Sequence, residues 1–226
     1  MTYLPVSVLI VTYQRAEILR RTIGRLLQLL TYAGPLRYVI ADDGSTDDTH
    51  EMVDDLRDAG LDVTMVISNR GGLGVNTNAG LRAAFALSDL VLQLQDDMLL
   101  LQHLDLTPHV DRLLSRPDDG FIRLWGVGGH RYTATLDGLY WRVSWESDEL
   151  YIPSDRPHLK HKRFHDAAGY YPEGLASGAT EEMWSHQAKN AARSRGVPAV
   201  LVPHAYDVER NFSHEGWGHR WRDKGL

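Results

Sequence analysis

Two adjacent carboxylates, Asp96 and Asp97, interrupt the apolar run Leu90–Leu101, LVLQLQDDMLLL. Negative charge at the end of an apolar strand must be given a partner. A hard divalent cation, Mg²⁺ or Mn²⁺, with a diphosphate on its far side is the partner such a pair suits best. A second acidic pair, Asp42-Asp43, follows the apolar Tyr38–Ala41 and opens DDGSTDDT. A third, Glu181-Glu182, stands near the start of a helical stretch. Each pair has a plain structural use as well, since aspartates suit turns and acidic residues suit helix starts.

The elements that must position these groups follow from periodicity. Val6–Val11, VSVLIV, is a continuous β-branched run and predicts a buried parallel strand. Ile18, Leu19, Ile23, Leu26, Leu27 and Leu30 recur at helical spacing, which predicts a helix from Ala16 to Tyr32, ended by Gly34-Pro35. A second strand, Tyr38–Ala41, leads to the acidic loop, and Ser45 or Thr46 is expected to cap a helix running to Ala59. A third strand, Val63–Ser68, meets Asn69-Arg70-Gly71-Gly72-Leu73-Gly74, a glycine-rich turn that lets backbone N–H groups approach a phosphate. A helix over Val75–Leu87 returns the chain to the strand that ends at Gln95, Asp96 and Asp97. Strand and helix alternate four times, so an α/β fold with a mostly parallel central sheet and helices on both faces is expected. Polar or glycine-rich clusters follow all four strands, on one edge of that sheet.

Beyond Met98 the pattern changes. A helix is expected at Thr107–Ser115 and a strand at Phe121–Val127, followed by Gly128-Gly129. Arg131–Leu136 and Leu139–Trp145 alternate polar and apolar residues around Asp137-Gly138, a hairpin signal. Residues 147–163, rich in Pro, His and Lys, predict a mobile solvated loop, so His158, His161 and His165 read as loop residues and not as metal ligands. A helix Thr180–Ser194, capped by Thr180 with Glu181 and Glu182 in its first turn, precedes a short strand Val200–Pro203. Trp141, Trp145 and Trp184 read as core. The tail is polar and aromatic: His204, Tyr206, Phe212, His214, Trp217, His219 and Trp221.

Composition narrows the classes. The 226 residues are 43% hydrophobic and suit one large domain, while the absence of cysteine excludes disulfides and thiolate metal sites. No apolar stretch nears the ~20 residues of a membrane-spanning helix, and the N-terminal residues lack a signal-peptide pattern; a soluble, cytoplasmic protein is expected. The net charge is −6, but residues 156–226 hold 11 Lys and Arg against 8 Asp and Glu, and seven of the 11 histidines. That balance suits contact with an anionic ligand and is too weak to argue for nucleic acid. No nucleophile elbow, lysine-containing phosphate loop or G-x-G-x-x-G is present.

In their order, VSVLIVTYQR, ADDGSTDDT, SNRGGLGVNTNAGL, LQLQDDM, AAGYYPEGLASGATEEMW and GVPAVLVP, with His214, resemble the motifs of a family-2 glycosyltransferase of the GT-A fold. The resemblance spans about 210 residues and implies a single domain over 1–226, with a nucleotide-sugar-binding half (1–101) and an acceptor and catalytic-base half (102–226). By resemblance Val11, Thr12, Tyr13 and Arg15 line the nucleotide pocket, Asp43 with Asp42 accepts a hydrogen bond from the base, and Asn69, Arg70, Gly71, Gly74 and Asn78 lie near the ribose and diphosphate. Asp97 and His214 hold Mn²⁺ or Mg²⁺. Gln95 stands at the first position of the metal motif, and Asp96 orients the donor. Glu182 falls at the catalytic base, with Glu181 beside it, and Ser177-Gly178 falls beneath the donor sugar.

The implied reaction is metal-dependent, inverting transfer of a sugar from a nucleotide-diphosphate sugar, UDP-linked by preference, to a hydroxyl acceptor. Three departures stand out. Gln95 replaces an aspartate, Asn76-Thr77-Asn78 lacks a diphosphate-binding arginine, and the late pair is Glu-Glu and not Glu-Asp. The first two motivate the alternative of a non-catalytic nucleotide-sugar or glycan-binding module. A nucleotidyltransferase is disfavoured, because the chain lacks the arginine-containing phosphate loop of such enzymes.

Overall fold

The computed structural model describes residues 3–125, 133–147, 152–203 and 211–215. The pair Gly128-Gly129, Arg131 at the hairpin start, and the tail residues His204, Tyr206, Trp217, His219 and Trp221 lie outside them.

The first half alternates as its periodicity dictates. Strand β1 (Val6–Thr12) leads to α1 (Ala16–Leu29), β2 (Leu30–Thr31), β3 (Leu36–Asp42), α2 (Thr49–Asp58), β4 (Val63–Ile67), α3 (Gly72–Leu87) and β5 (Leu90–Gln95). The second half comprises β6 (Met98–Leu100), β7 (Leu104–Asp105), α4 (Thr107–Ser115), β8 (Asp119–Arg123), β9 (Ala134–Asp137), β10 (Tyr140–Val143), β11 (His158–His161), α5 (Lys162–Ala168), α6 (Ser177–Arg195), β12 (Ala199–Pro203) and β13 (Phe212–His214).

Nine strands form one sheet in the order β4-β3-β1-β5-β11-β8-β12-β10-β9. Its first four strands pair in parallel. From β5 onward the sheet is mixed, with only β8 and β12 parallel. The expected hairpin, β9–β10, is therefore an edge of the main sheet and not a separate element. A small antiparallel pair, β6–β13, lies apart. Among the described residues no helix is long and apolar enough to cross a membrane.

The four parallel strands are mainly apolar because both faces of that part of the sheet are covered. On one face Val8, Ile10, Ile40 and Leu92 pack with Leu19, Ile23, Met52 and Val110 from α1, α2 and α4. On the other, Leu9, Val39, Val91 and Phe121 pack with Leu81, Phe164, Trp184 and Ala188 from α3, α5 and α6. Trp184 is fully buried and Trp141 and Trp145 pack partly buried against the same cluster. The chain steps from β1 through β3 to β4 in one direction and then returns to place β5 on the other side of β1. That reversal opens a crevice at the carboxyl ends of β1 and β5, where ligands bind in open parallel sheets.

Several expectations are corrected. Within the expected loop over 147–163, the described residues 152–163 are not a solvated loop. They contain β11, which lies in the middle of the sheet between β5 and β8 with His158 and Lys160 fully buried. The polar letters of HLKH conceal the strand. His158 stacks on Phe121 with ring centroids 4.1 Å apart. Lys160 Nζ donates to Gln93 Oε1 at 2.6 Å and lies over the rings of Tyr171 and Trp184. Burial drives the Lys160 amine well below its usual range, which lowers the cost of placing it inside the sheet. Helix α1 ends three residues early, because Leu30–Thr31 pairs with β7. Helix α2 begins at Thr49, since Ser45 bonds to Asp42 instead of capping it. Helix α6 begins at Ser177, so Glu181 and Glu182 stand past its first turn and gain little from the helix dipole.

Candidate functional site

Three strand ends build one wall. Thr12 ends β1 opposite Asp42 of β3, and Val11 lies opposite Gln95 of β5. Asp96 and Asp97 form the turn after β5 and are 3% and 2% exposed. Thr12 Oγ1 donates to Asp96 Oδ2 at 2.8 Å, and Arg15 Nη1 reaches Asp96 Oδ1 at 3.1 Å and Asp97 Oδ2 at 2.7 Å. Thr22 Oγ1 donates to the Asp96 carbonyl at 2.5 Å and fixes the turn from beneath. Burial pushes Asp96 up to about 6, against the pull of Arg15 and Thr12.

The two aspartates after β3 divide the work. Asp42 is fully buried and takes hydrogen bonds from Ser45 N at 2.8 Å, from Ser45 Oγ and from His50 Nε2 at 2.9 Å. It anchors the turn and does not line the cavity. Asp43 lines the cavity, with Oδ1 bound by Ser68 Oγ at 2.8 Å and Oδ2 by Gly72 N at 3.0 Å.

The glycine-rich turn is structural over most of its length. Asn69 and Arg70 adopt left-handed φ of 50° and 61°, and neither they nor Gly71 and Gly74 line the cavity. A Cβ on Gly74 would fall 2.0 Å from the Pro172 carbonyl oxygen, so only glycine lets α3 meet the 172–173 segment. Asn78 is buried and clamps that segment through Tyr171 N, Tyr171 O and Glu173 Oε1 at 2.8–3.0 Å. Asn76 Nδ2 donates to Ala41 O at 2.9 Å and to Thr12 O at 3.2 Å, tying α3 to two strand ends.

Helix α6 borders the same cavity. Its Glu181 lines the cavity; Glu182, the position favoured by resemblance, does not. The Glu182 side chain is 52% exposed and faces His186 one turn on, at 3.8 Å, because adjacent helical residues point about 100° apart. The cavity holds about 670 Å³. It gathers Val11, Thr12, Tyr13, Arg15, Asp43, Gln95, Asp96, Asp97, Glu181 and His214, with Ser177 and Gly178.

Sequence reasoning missed six lining residues: Leu73, Asn76, Met98, Trp125, Asp155 and Arg156. Trp125, Asp155 and Arg156 had no signal, the last two lying in what reads as a solvated loop. Leu73 is an unremarked apolar member of the glycine-rich turn. Arg156 lies over the Trp125 ring at 4.8 Å with no carboxylate partner among the described residues, and Trp125 stacks toward His214 at 6.5 Å. Arg156 thus places a cation in the cavity. Arg70 lies outside the cavity, and Arg82 faces Glu173 at 3.6 Å.

The residues present suit a cation shared with a substrate. Asp97 Oδ1 is buried without a hydrogen-bond partner, and His214 Nε2 stands 3.6 Å from Asp97 Oδ2. Among the described residues no three His, Asp or Glu converge as a self-sufficient metal site. One carboxylate and one imidazole leave the other positions for substrate oxygens and water, as hard divalent ions at phosphate sites commonly have it.

The glycosyl transferase family 2 model matches residues 7–169. Among solved structures, segment 1–349 of S. aureus TarS is similar at a TM-score of 0.67 and 18% identity, over 94% of this chain and 60% of that one. Its complex with UDP-GlcNAc gives 0.65 and 19%, over 96% and 61%. A mannosyltransferase from Pyrobaculum calidifontis, PcManGT, in complex with GDP-Man and Mn²⁺ gives 0.56 and 20%, over 96% and 60%. The chain thus spans about three fifths of the length of these solved chains, and the likeness is one of fold. No curated protein matches the chain in sequence.

Proposed function

Because the chain belongs to glycosyl transferase family 2, we propose that it transfers a sugar from a nucleotide-diphosphate sugar to a hydroxyl acceptor, with inversion and with a divalent ion. The carrying observation is one cavity with Thr12, Asp43, Asp96 and Asp97 on the strand ends and Glu181 facing them from α6.

Asp43 binds the base of the nucleotide through a carboxylate already oriented by Ser68 and Gly72. Tyr13, 41% exposed at the edge of the cavity, offers a ring for the base to lie against. Asp97 and His214 hold Mn²⁺ or Mg²⁺, which when bound neutralises charge on the departing diphosphate. Arg156 supplies a second positive group for that diphosphate. Glu181 accepts the acceptor's proton as its oxygen attacks the anomeric carbon, a role that contributes ~10²–10⁴-fold. With Glu181 and Asp97 lining one cavity, the proposed attack comes from the face opposite the leaving group. A UDP-sugar is the favoured donor, in keeping with the ligand of the TarS complex; a GDP-sugar is the next choice.

A panel of nucleotide sugars tested for thermal shift, with and without Mn²⁺, checks the donor, since a bound ligand raises apparent stability by mass action. A metal-dependent shift with at least one donor, and release of its nucleoside diphosphate, is expected. No shift with any of them sinks the proposal. The second reading, a non-catalytic nucleotide-sugar-binding module, draws on Arg15, whose guanidinium already pairs with both aspartates. Binding without release of nucleoside diphosphate in the presence of candidate acceptors would favour it.

A further inference from the structure

We infer that Asp155 is a positioning residue for Glu181: anchored by Gln95, its carboxyl shares a proton with Glu181 and holds that carboxylate toward the cavity. The inference rests on the reading of Glu181 as the base.

Asp155 is buried at the floor of the cavity. Gln95 Nε2 donates to Asp155 Oδ2. Asp155 N donates to Glu181 Oε1 at 3.3 Å, and the two carboxyl groups hydrogen-bond each other. Carboxyls in such contact do not readily ionise together, so a proton held on Asp155 lies between them. Burial and then the Glu181 charge push Asp155 well above the usual carboxylate range, while Arg156 pulls the other way. Among the described residues the remaining group facing the pair is the Tyr171 phenol, itself pushed up by burial and by Asp155, so it is neutral and adds no charge.

Gln95 now has a physical reason. An aspartate or glutamate there would press a third carboxylate onto Asp155. The amide donates instead, and its side chain is spent on this pair and not on a metal.

In the transfer, the acceptor O–H proton moves to Glu181 and the pair passes from one shared proton to two. The bond from acceptor oxygen to the anomeric carbon forms as the bond to the diphosphate oxygen breaks, its electrons leaving with the diphosphate.

Asp155→Asn is nearly isosteric. Its carbonyl accepts from Gln95 and its amide donates permanently to Glu181, with no proton to lose. The first readout is Tm against pH without substrate. A carboxyl held above its unfolded value of ~3.9 destabilises the fold as pH rises between the two values. The Tm of Asp155→Asn should therefore gain on wild type by about 3 °C or more between pH 5 and pH 8. Parallel Tm curves overturn the proposal. The second readout is kcat/KM against pH, where wild type should show an alkaline limb that Asp155→Asn lacks; the same limb in both overturns it too. If wild type transfers no sugar, the functional reading fails, and the Tm comparison still judges the pair. Should Asp155→Asn not fold, Glu181→Gln provides the Tm test: a flattened pH dependence is expected, and an unaltered one overturns the proposal.

Discussion

Arg15 Nη1 lies 2.7 Å from Asp97 Oδ2 and 3.1 Å from Asp96 Oδ1, so one guanidinium spans both carboxylates after β5. It stands where an incoming cation would. Arg15 is 43% exposed, so the contact is worth only about 1 kcal/mol. Removing it should let a metal bind Asp97 without displacing a competitor. Arg15→Gln is expected to tighten Mn²⁺ binding in the absence of nucleotide by a few-fold, read by isothermal titration calorimetry. Equal or weaker binding would show that Arg15 does not compete.

The two neighbouring glutamates are expected to separate cleanly. Glu181→Gln should keep donor-induced thermal shift and lower turnover by about 10²-fold or more. Glu182→Gln, whose side chain is exposed beside His186, should stay within about twofold of wild type. Release of nucleoside diphosphate in the presence of acceptor is the assay, and the reverse ranking would return the base to Glu182.

Asp43 joins recognition to architecture, since Ser68 and Gly72 both donate to it. Asp43→Ala is expected to weaken nucleotide binding by more than tenfold, at least about 1.4 kcal/mol. It also leaves the Gly72 N–H without its acceptor, costing about 1–3 kcal/mol of stability. A nucleotide titration and a melting curve separate the two effects; undiminished affinity would remove Asp43 from the nucleotide site.

Two glycines near the cavity differ in kind. Gly74→Ala places a methyl group 2.0 Å from Pro172 O and should cost about 1–3 kcal/mol or more, seen as a clear fall in Tm. Gly178→Ala meets nothing within 4 Å and should keep its Tm within about 2 °C of wild type, inside the range of uncongested substitutions. Because Gly178 lines the cavity, its added methyl group should show in donor affinity instead.

Most of the first hundred residues are legible without coordinates. VSVLIV, the helical stripe over Ile18–Leu27 and the four strand-end clusters predict the alternating architecture, and the acidic pairs at Asp42 and Asp96 mark its functional edge. Local periodicity suffices there because each element is buried against the next one in sequence. The second half resists the same reading. His158 and Lys160 sit on a central strand because Phe121, Gln93, Tyr171 and Trp184 receive them, and three of those four come from other strands or helices. No window of sequence contains that compensation.

The chain's letters determine its parallel strands, the edge of the sheet that carries carboxylates and the kinds of chemistry available there, because these depend on residue type and short-range spacing. Tertiary structure alone decides which member of each pair faces the cavity. Asp43 lines it and Asp42 does not, Glu181 lines it and Glu182 does not, and Asp155 arrives from a segment that reads as solvent-exposed. Adjacent side chains differ in direction by a half-turn on a strand and by about 100° on a helix. Which direction is inward is set by packing partners far away in the sequence.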